Sequence, residues 1–162
     1  MELRDIPSLP GYSASSCGVI INRRGVVQRT SISAGYLGFT IKRERRYKWL
    51  IVSRLVAEAW LSDFRPDMQV DHINRDPLDN RAENLRMATP SQNSFNRSRT
   101  SKNKSGYVGV VLHKPTQKWQ AQIGLMRRTL YLGLFDTPEA AAAARTRKAL
   151  ELFSGYVPSE AR

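Results

Sequence analysis

The chain has 162 residues, 41% hydrophobic and 25% charged, a balance that suits a globular chain and excludes a disordered one. That length allows one medium domain or two or three small ones. Twenty-six Lys and Arg against fourteen Asp and Glu leave a formal +12, which favours a polyanionic partner, and nucleic acid is the commonest.

In chain order, residues 18–52 read as short strands. The apolar run Cys17-Gly18-Val19-Ile20-Ile21 ends in a turn at Asn22-Arg23-Arg24-Gly25. Gly35–Ile41 and Tyr47–Val52 form two more strands around a charged turn. This stretch is strongly basic: residues 22–54 hold nine Lys and Arg and one acid, Glu44, for +8. A helix follows, with Ser53 expected as its N-cap and Leu55, Val56, Ala59 and Trp60 as its buried stripe. Pro66 closes that section.

The charge then reverses. Residues 55–92 hold seven acids and four bases, for −3, so this segment has carboxylates to spare for a metal. A strand is expected at Met68–Ile73, then a polar loop, a strand at Leu85–Ala88, and a short helix over Gln92–Asn96 capped by Thr89 or Ser91. Residues 96–105 lack any apolar residue and read as a basic linker. Beyond it, Tyr107–Leu112, Lys118–Gly124 and Thr129–Phe135 read as strands, joined by turns at Pro115-Thr116-Gln117 and Met126-Arg127-Arg128. Thr137 should cap a final alanine-rich helix with Pro138 at its first position, and Gly155 and Pro158 should end it. The fold class is α+β. The expected domains are a strand-rich, DNA-contacting region over 1–52, a ββα core over 53–96, a linker over 97–105 and a sheet-plus-helix module over 106–162.

Two histidines exist, His72 and His113. Asp71-His72 alone says little, because a strand-edge histidine is usually satisfied by its surroundings. The spacing adds to it: Asn84 lies twelve residues beyond His72 and Asn93 nine beyond that, on what would be one small ββα unit. Val70-Asp71-His72-Ile73-Asn74, Asp79-Asn80-Arg81, Glu83-Asn84-Leu85-Arg86 and Gln92-Asn93 resemble the H-N-H nuclease family, in the branch found in phage and intron-borne homing endonucleases. The last letter of the motif is Asn93 here, as is common in that branch.

The resemblance implies a metal-dependent DNA endonuclease that nicks or cuts both strands. His72 would be the general base, whose unperturbed pKa of about 6.5 suits proton abstraction near neutral pH. Asp71 and Asn93 would hold one divalent ion, Mg2+ or Mn2+, through oxygens. Asn84 would orient His72 or brace the loop. Asn80 reads as a turn residue, Asp76 and Asp79 as loop and cap residues, and Arg86 as a phosphate contact or a partner of Glu83.

Gly106–Val110, Lys118–Ile123, Tyr131–Thr137 and Glu139-Ala140-Ala141 resemble the DNA-binding domain of plant Apetala and ethylene-response factors, which also occurs attached to phage homing nucleases. That resemblance implies a sheet face laid in the major groove. Its candidate contacts are Lys114, Lys118, Trp119, Gln120, Gln122, Arg127 and Arg128, subject to register; Trp119 equally suits the core. Arg43, Arg45, Arg46, Arg97, Arg99, Lys102 and Lys104 are further phosphate candidates.

The expected partner is double-stranded DNA, met by a monomer with no small-molecule cofactor and no membrane. No apolar run reaches the ~20 residues of a membrane span, and Met1-Glu2-Leu3-Arg4-Asp5 lacks a signal-peptide shape. The single cysteine, Cys17, allows neither an internal disulfide nor a zinc site, so the cytoplasm is expected, the host's if the gene is phage-borne. Two other readings compete: a decayed H-N-H protein kept as a DNA-binding regulator, motivated by Asn93 in place of His, and an RNA-binding protein, disfavoured because the aromatic stacking motifs of RNA modules are absent.

Overall fold

The computed structural model describes residues 2–96, 104–126, 128–153 and 156. They form a mixed α and β fold with four small antiparallel sheets and three α-helices. Among these residues no helix is long and apolar enough to cross a membrane. Two compact units divide the chain, Met1–Ala88 and Thr89–Arg162.

The first unit opens with β1 (Leu3–Asp5), β2 (Tyr12–Ser15) and β3 (Ile20–Asn22), in the order β1-β2-β3. A second sheet joins β4 (Ser31–Ser33), β5 (Tyr36–Arg43) and β6 (Arg46–Ile51). Then come α1 (Val52–Trp60), β7 (Gln69–His72), a 3-10 turn at Ala82–Asn84, and β8 (Leu85–Ala88), which pairs with β7. The β5–β6 hairpin turns on Glu44 and Arg45, both at positive φ (48° and 64°), the conformation a two-residue turn between right-twisted strands demands.

The expected cap of α1 needs correction. Ile51 stands at the N-cap position without a side-chain hydrogen bond, and Ser53 is buried inside the helix. The physical reason is continuity: Ile51 still pairs with Gly38 in the sheet, so the chain enters the helix directly from β6. Val52, Leu55, Val56 and Ala59 lie on one helical stripe and meet Ile6, Leu9, Ala14, Ile20, Phe39 and Leu85 in one core. Trp60 packs on the rim of that core and donates from Nε1 to the carbonyl of Ala14 at 2.9 Å. Both N-terminal sheets and the β7–β8 pair pack against α1.

The second unit begins with α2 (Pro90–Asn96). Thr89 caps it, its Oγ1 accepting from Gln92 N at 3.3 Å while Gln92 Oε1 accepts from Thr89 N at 2.8 Å. Ser91, the other expected cap, accepts instead from Met126 N. Phe95 packs against Phe153 at a tilt, with ring centroids 5.9 Å apart, and the Arg145 guanidinium lies 4.8 Å above its ring, so α2 is anchored in the C-terminal unit. β7 and β8 lie in the first unit and α2 in the second.

The sheet of the second unit, β9 (Val110–His113), β10 (Lys118–Leu125) and β11 (Arg128–Phe135), has β10 at its centre. A bulge in β11 falls opposite Ala121/Gln122. The helix α3 (Pro138–Leu152) is capped by Thr137, whose Oγ1 accepts from Ala140 N at 3.2 Å, with Pro138 in its first turn. Ala141 packs with Val110 and Ala121, and Trp119, Leu132 and Phe135 close the edge of that core. Gly109 (φ +70°) sits where any Cβ would collide with Arg145 and the carbonyl of Gln122, so only glycine lets the chain pass there. The expected helix stops at Gly155 and Pro158 lie outside the described residues, as does most of the linker.

Candidate active site

Strand β7 carries Asp71 and His72, opposite Arg86 and Leu85 of β8. Asp71 is 4% exposed and His72 7%. Asp71 Oδ2 accepts from Arg86 Nε at 2.9 Å. Glu83, the other partner considered for Arg86, pairs with Arg81 instead. Arg86 is half-buried, its side chain 18% exposed, and paired with Asp71.

The loop from Ile73 to Asn84 is tied by its own amides. Asn84 Oδ1 accepts from Asn74 N at 3.0 Å, and Asn84 Nδ2 donates to Asn74 Oδ1 at 3.0 Å and to the Asp79 carbonyl at 2.8 Å. The side-chain bonds of Asn84 therefore span the loop's two ends rather than reach His72. Asn74 and Asp76 each accept from the amide two residues on, successive Asx turns that curl the chain. Asp79 takes a bidentate grip from Arg81, at 2.8 Å to each oxygen, and a further bond from Asn74 Nδ2. The Arg81 hydrogen bond is the main cause that holds the Asp79 carboxyl down at about 2. The same pairing raises Arg81 above its ordinary value.

Two neighbours of His72 were not anticipated from sequence. Asn80 is 4% exposed, and its Oδ1 lies 3.1 Å from His72 Nε2. Asn80 stood in the motif word Asp79-Asn80-Arg81, but asparagine in a polar loop reads as a turn residue. The ring of Tyr36, on β5, lies 6.4 Å from the imidazole. The turn after β2 also reaches the loop: Ser16 O accepts from Ala82 N at 2.8 Å.

Asn93 lies on α2 in the second unit, its amide N donating to the Thr89 carbonyl. Among the described residues no cluster of three or more His, Cys, Asp and Glu side chains forms a metal cage. The oxygen donor beside His72 is the buried Asp71 carboxylate, which also accepts from Arg86. A single hard oxygen donor of this kind fits an ion that keeps most of its waters, such as Mg2+.

Of the candidate DNA contacts, Arg43, Arg45 and Arg46 stand exposed at the tip of the β5–β6 hairpin. Lys104, Lys114 and Arg128 are also exposed. Arg97, Arg99, Lys102 and Arg127 lie outside the described residues. Lys118, Gln120 and Gln122 share one face of β10; Gln120 Nε2 donates to Gln122 Oε1 at 3.3 Å, and Lys118 pairs with Asp136. Trp119 lies on the opposite face and packs against the core beneath α3, which removes it from that set of outward residues. His113 bonds Thr116 within its own turn.

Residues 52–95 match the family model described as HNH endonuclease. Over 90 residues the chain is 39% identical to an uncharacterized HNH endonuclease of Acanthamoeba polyphaga mimivirus, covering 56% of this chain and 46% of that protein. Over 54 residues it is 35% identical to Protein 3.8 of Escherichia phage T7, covering 33% and 45%. The chain therefore spans less than half the length of either relative. The solved structure titled "DNA binding and cleavage by the HNH homing endonuclease I-HmuI" shares the fold, with a TM-score of 0.55, 22% identity, and 94% and 83% of the two chains covered.

Proposed function

We propose that this protein is a metal-dependent endonuclease that hydrolyses phosphodiester bonds in double-stranded DNA. The observation that carries the reading is the placement of Asp71 and His72: adjacent, buried, and set on a strand inside the segment that matches the HNH endonuclease model.

In this reading His72 takes a proton from a water molecule as that water's oxygen bonds to phosphorus. The bond from phosphorus to the 3′-oxygen breaks, and the leaving oxygen acquires a proton from solvent. Asp71 would hold a divalent ion, Mg2+ or Mn2+, and the H-N-H resemblance names Asn93 as the further oxygen ligand. When bound, that ion relieves charge on the scissile phosphate and on the departing oxygen. Asn84 holds the loop closed beneath His72, and Arg86 sets the Asp71 carboxylate in place.

Affinity would come from charge outside the site. The exposed arginines of the β5–β6 tip suit phosphates. The Apetala-like reading of the second unit lays the Lys118, Gln120 and Gln122 face against the major groove, where glutamine amides suit base edges. We further read the chain as a monomer acting where its DNA is, in a cell's cytoplasm.

One observation favours a second reading, a DNA-binding regulator without cleavage: Arg86 already neutralises Asp71. A supercoiled-plasmid assay with Mg2+ or Mn2+ separates the two, run beside phage and genomic DNA because a preferred site can be missing from one plasmid. Open-circle or linear product that vanishes with EDTA and in His72→Ala is the expected result. Salt-dependent binding with every substrate intact under both metals would sink the enzyme reading and leave the regulator.

A further inference from the structure

We propose that Asn80 is the positioning residue for His72: its carboxamide holds the neutral ring in the tautomer protonated on Nε2, so that the lone pair which accepts the water proton sits on Nδ1. The catalytic half of this inference rests on the nuclease reading above; the proton assignment does not.

The assignment follows from two hydrogen bonds taken together. One end of the Asn80 amide lies 3.1 Å from His72 Nε2 and the other 3.1 Å from the carbonyl oxygen of Leu78. A carbonyl oxygen can only accept, so the amide nitrogen must face Leu78. The amide oxygen then faces the ring, and it too can only accept. Nε2 must therefore carry a hydrogen. In a neutral imidazole that leaves the lone pair on Nδ1. Reversing the tautomer would set two lone pairs against each other in a site where Asn80 and His72 are 4% and 7% exposed and water cannot easily repair the loss. The bond also survives the reaction. Once Nδ1 has taken a proton, Nε2 still donates to the same oxygen, so the transfer requires no rearrangement of the site.

Asn80 is itself held from outside its loop. Gly18, at φ +88°, lies so close that a Cβ there would stand 3.0 Å from the Asn80 carbonyl oxygen and 3.2 Å from its Cβ. The neighbouring Ser16 carbonyl accepts from Ala82 N, which clamps the chain two residues past Asn80. A turn asparagine serving only its loop would be expected at the surface. This one is buried between the ring and the N-terminal turn.

The test is 15N NMR of the histidine rings in the full chain, with His72→Ala to separate His72 from His113. The wild type should show the His72 ring protonated on Nε2. In Asn80→Ala that signature should give way to averaging between tautomers, and kcat on plasmid DNA with Mg2+ should fall on the order of 10–100-fold with KM unchanged. Asn80→Asp keeps an acceptor oxygen toward the ring but turns its other oxygen to the Leu78 carbonyl, so it should retain the Nε2-protonated signature that Asn80→Ala loses while recovering only part of kcat. A wild-type ring protonated on Nδ1 overturns the assignment, even if Asn80→Ala fails to fold. A folded Asn80→Ala that cleaves at the wild-type rate overturns the positioning role. A wild type with the expected tautomer that cleaves no DNA overturns the base role together with the nuclease reading, while the proton assignment stands.

Discussion

Arg86 reaches across the β7–β8 pair and sets Nε 2.9 Å from Oδ2 of Asp71, with the two side chains 18% and 5% exposed. Removing the arginine leaves a carboxylate buried without that charge partner. Arg86→Ala should lose about 1.5–3 kcal/mol of stability, the range for hydrogen bonds to charged groups, read as a lower urea midpoint at unchanged m-value. If Asp71 holds the metal, added Mg2+ should raise the Tm of Arg86→Ala by more than it raises the wild type. Equal shifts in the two proteins count against the ligand role.

Asn84 closes the loop through Asn74 N, Asn74 Oδ1 and the Asp79 carbonyl. Asn84→Ala removes all three bonds and strands partners in a part-buried setting. A loss of about 2–4 kcal/mol is expected from bonds worth ~1 kcal/mol each plus unsatisfied groups. Hydrogen exchange should localise the opening to residues 73–84. A variant as stable as the wild type would show that the loop is held by its Asx turns and Asp79 alone.

Asp79 supplies the acid-side pH dependence. Its carboxyl lies at about 2 in the folded chain against a reference of 3.8. A depressed carboxyl stabilises the fold fully above the unfolded value and loses that contribution as pH falls through the folded one. Stability should therefore drop between roughly pH 4 and pH 2, and Asp79→Asn should flatten that part of the profile while lowering stability at pH 7. Urea melts at stepped pH give both curves. Parallel profiles would remove Asp79 as the source.

The β5–β6 turn places Glu44 and Arg45 at φ of 48° and 64°. Each non-glycine residue in this region carries a cost of roughly 1 kcal/mol. Replacing the pair by Asn-Gly, through Glu44→Asn and Arg45→Gly, should stabilise the protein by about 1 kcal/mol. Loss of Arg45 should also reduce the slope of log K for DNA against log salt by about 0.9, if that side chain neutralises a phosphate. A raised Tm with an unchanged slope separates the turn's geometry from a role in binding.

Several elements were legible in sequence because their signals are local. Leu85–Ala88 forms the strand expected of it. Thr137 and Pro138 start α3, since cap chemistry acts within one helical turn. Ser53 misled for the same reason: a cap signal was present, but the sheet carried the chain into α1 one residue too early for it to act. β1 and β4, three residues each, carried too little pattern to be read at all.

The sequence by itself determined the chemistry on offer: Asp71 beside His72, the asparagines at their spacing, and an acid-rich segment between basic flanks. Tertiary structure decided which of these groups meet. Asn80 reaches His72 because the Ser16–Gly18 turn presses on its loop, Arg86 turns to Asp71 because β7 and β8 pair in that register, and Trp119 faces inward because α3 covers that side of the sheet. Each of these outcomes depends on residues distant in the chain. Side-chain direction on a strand alternates with every residue, so register and packing, rather than residue type, select the partner.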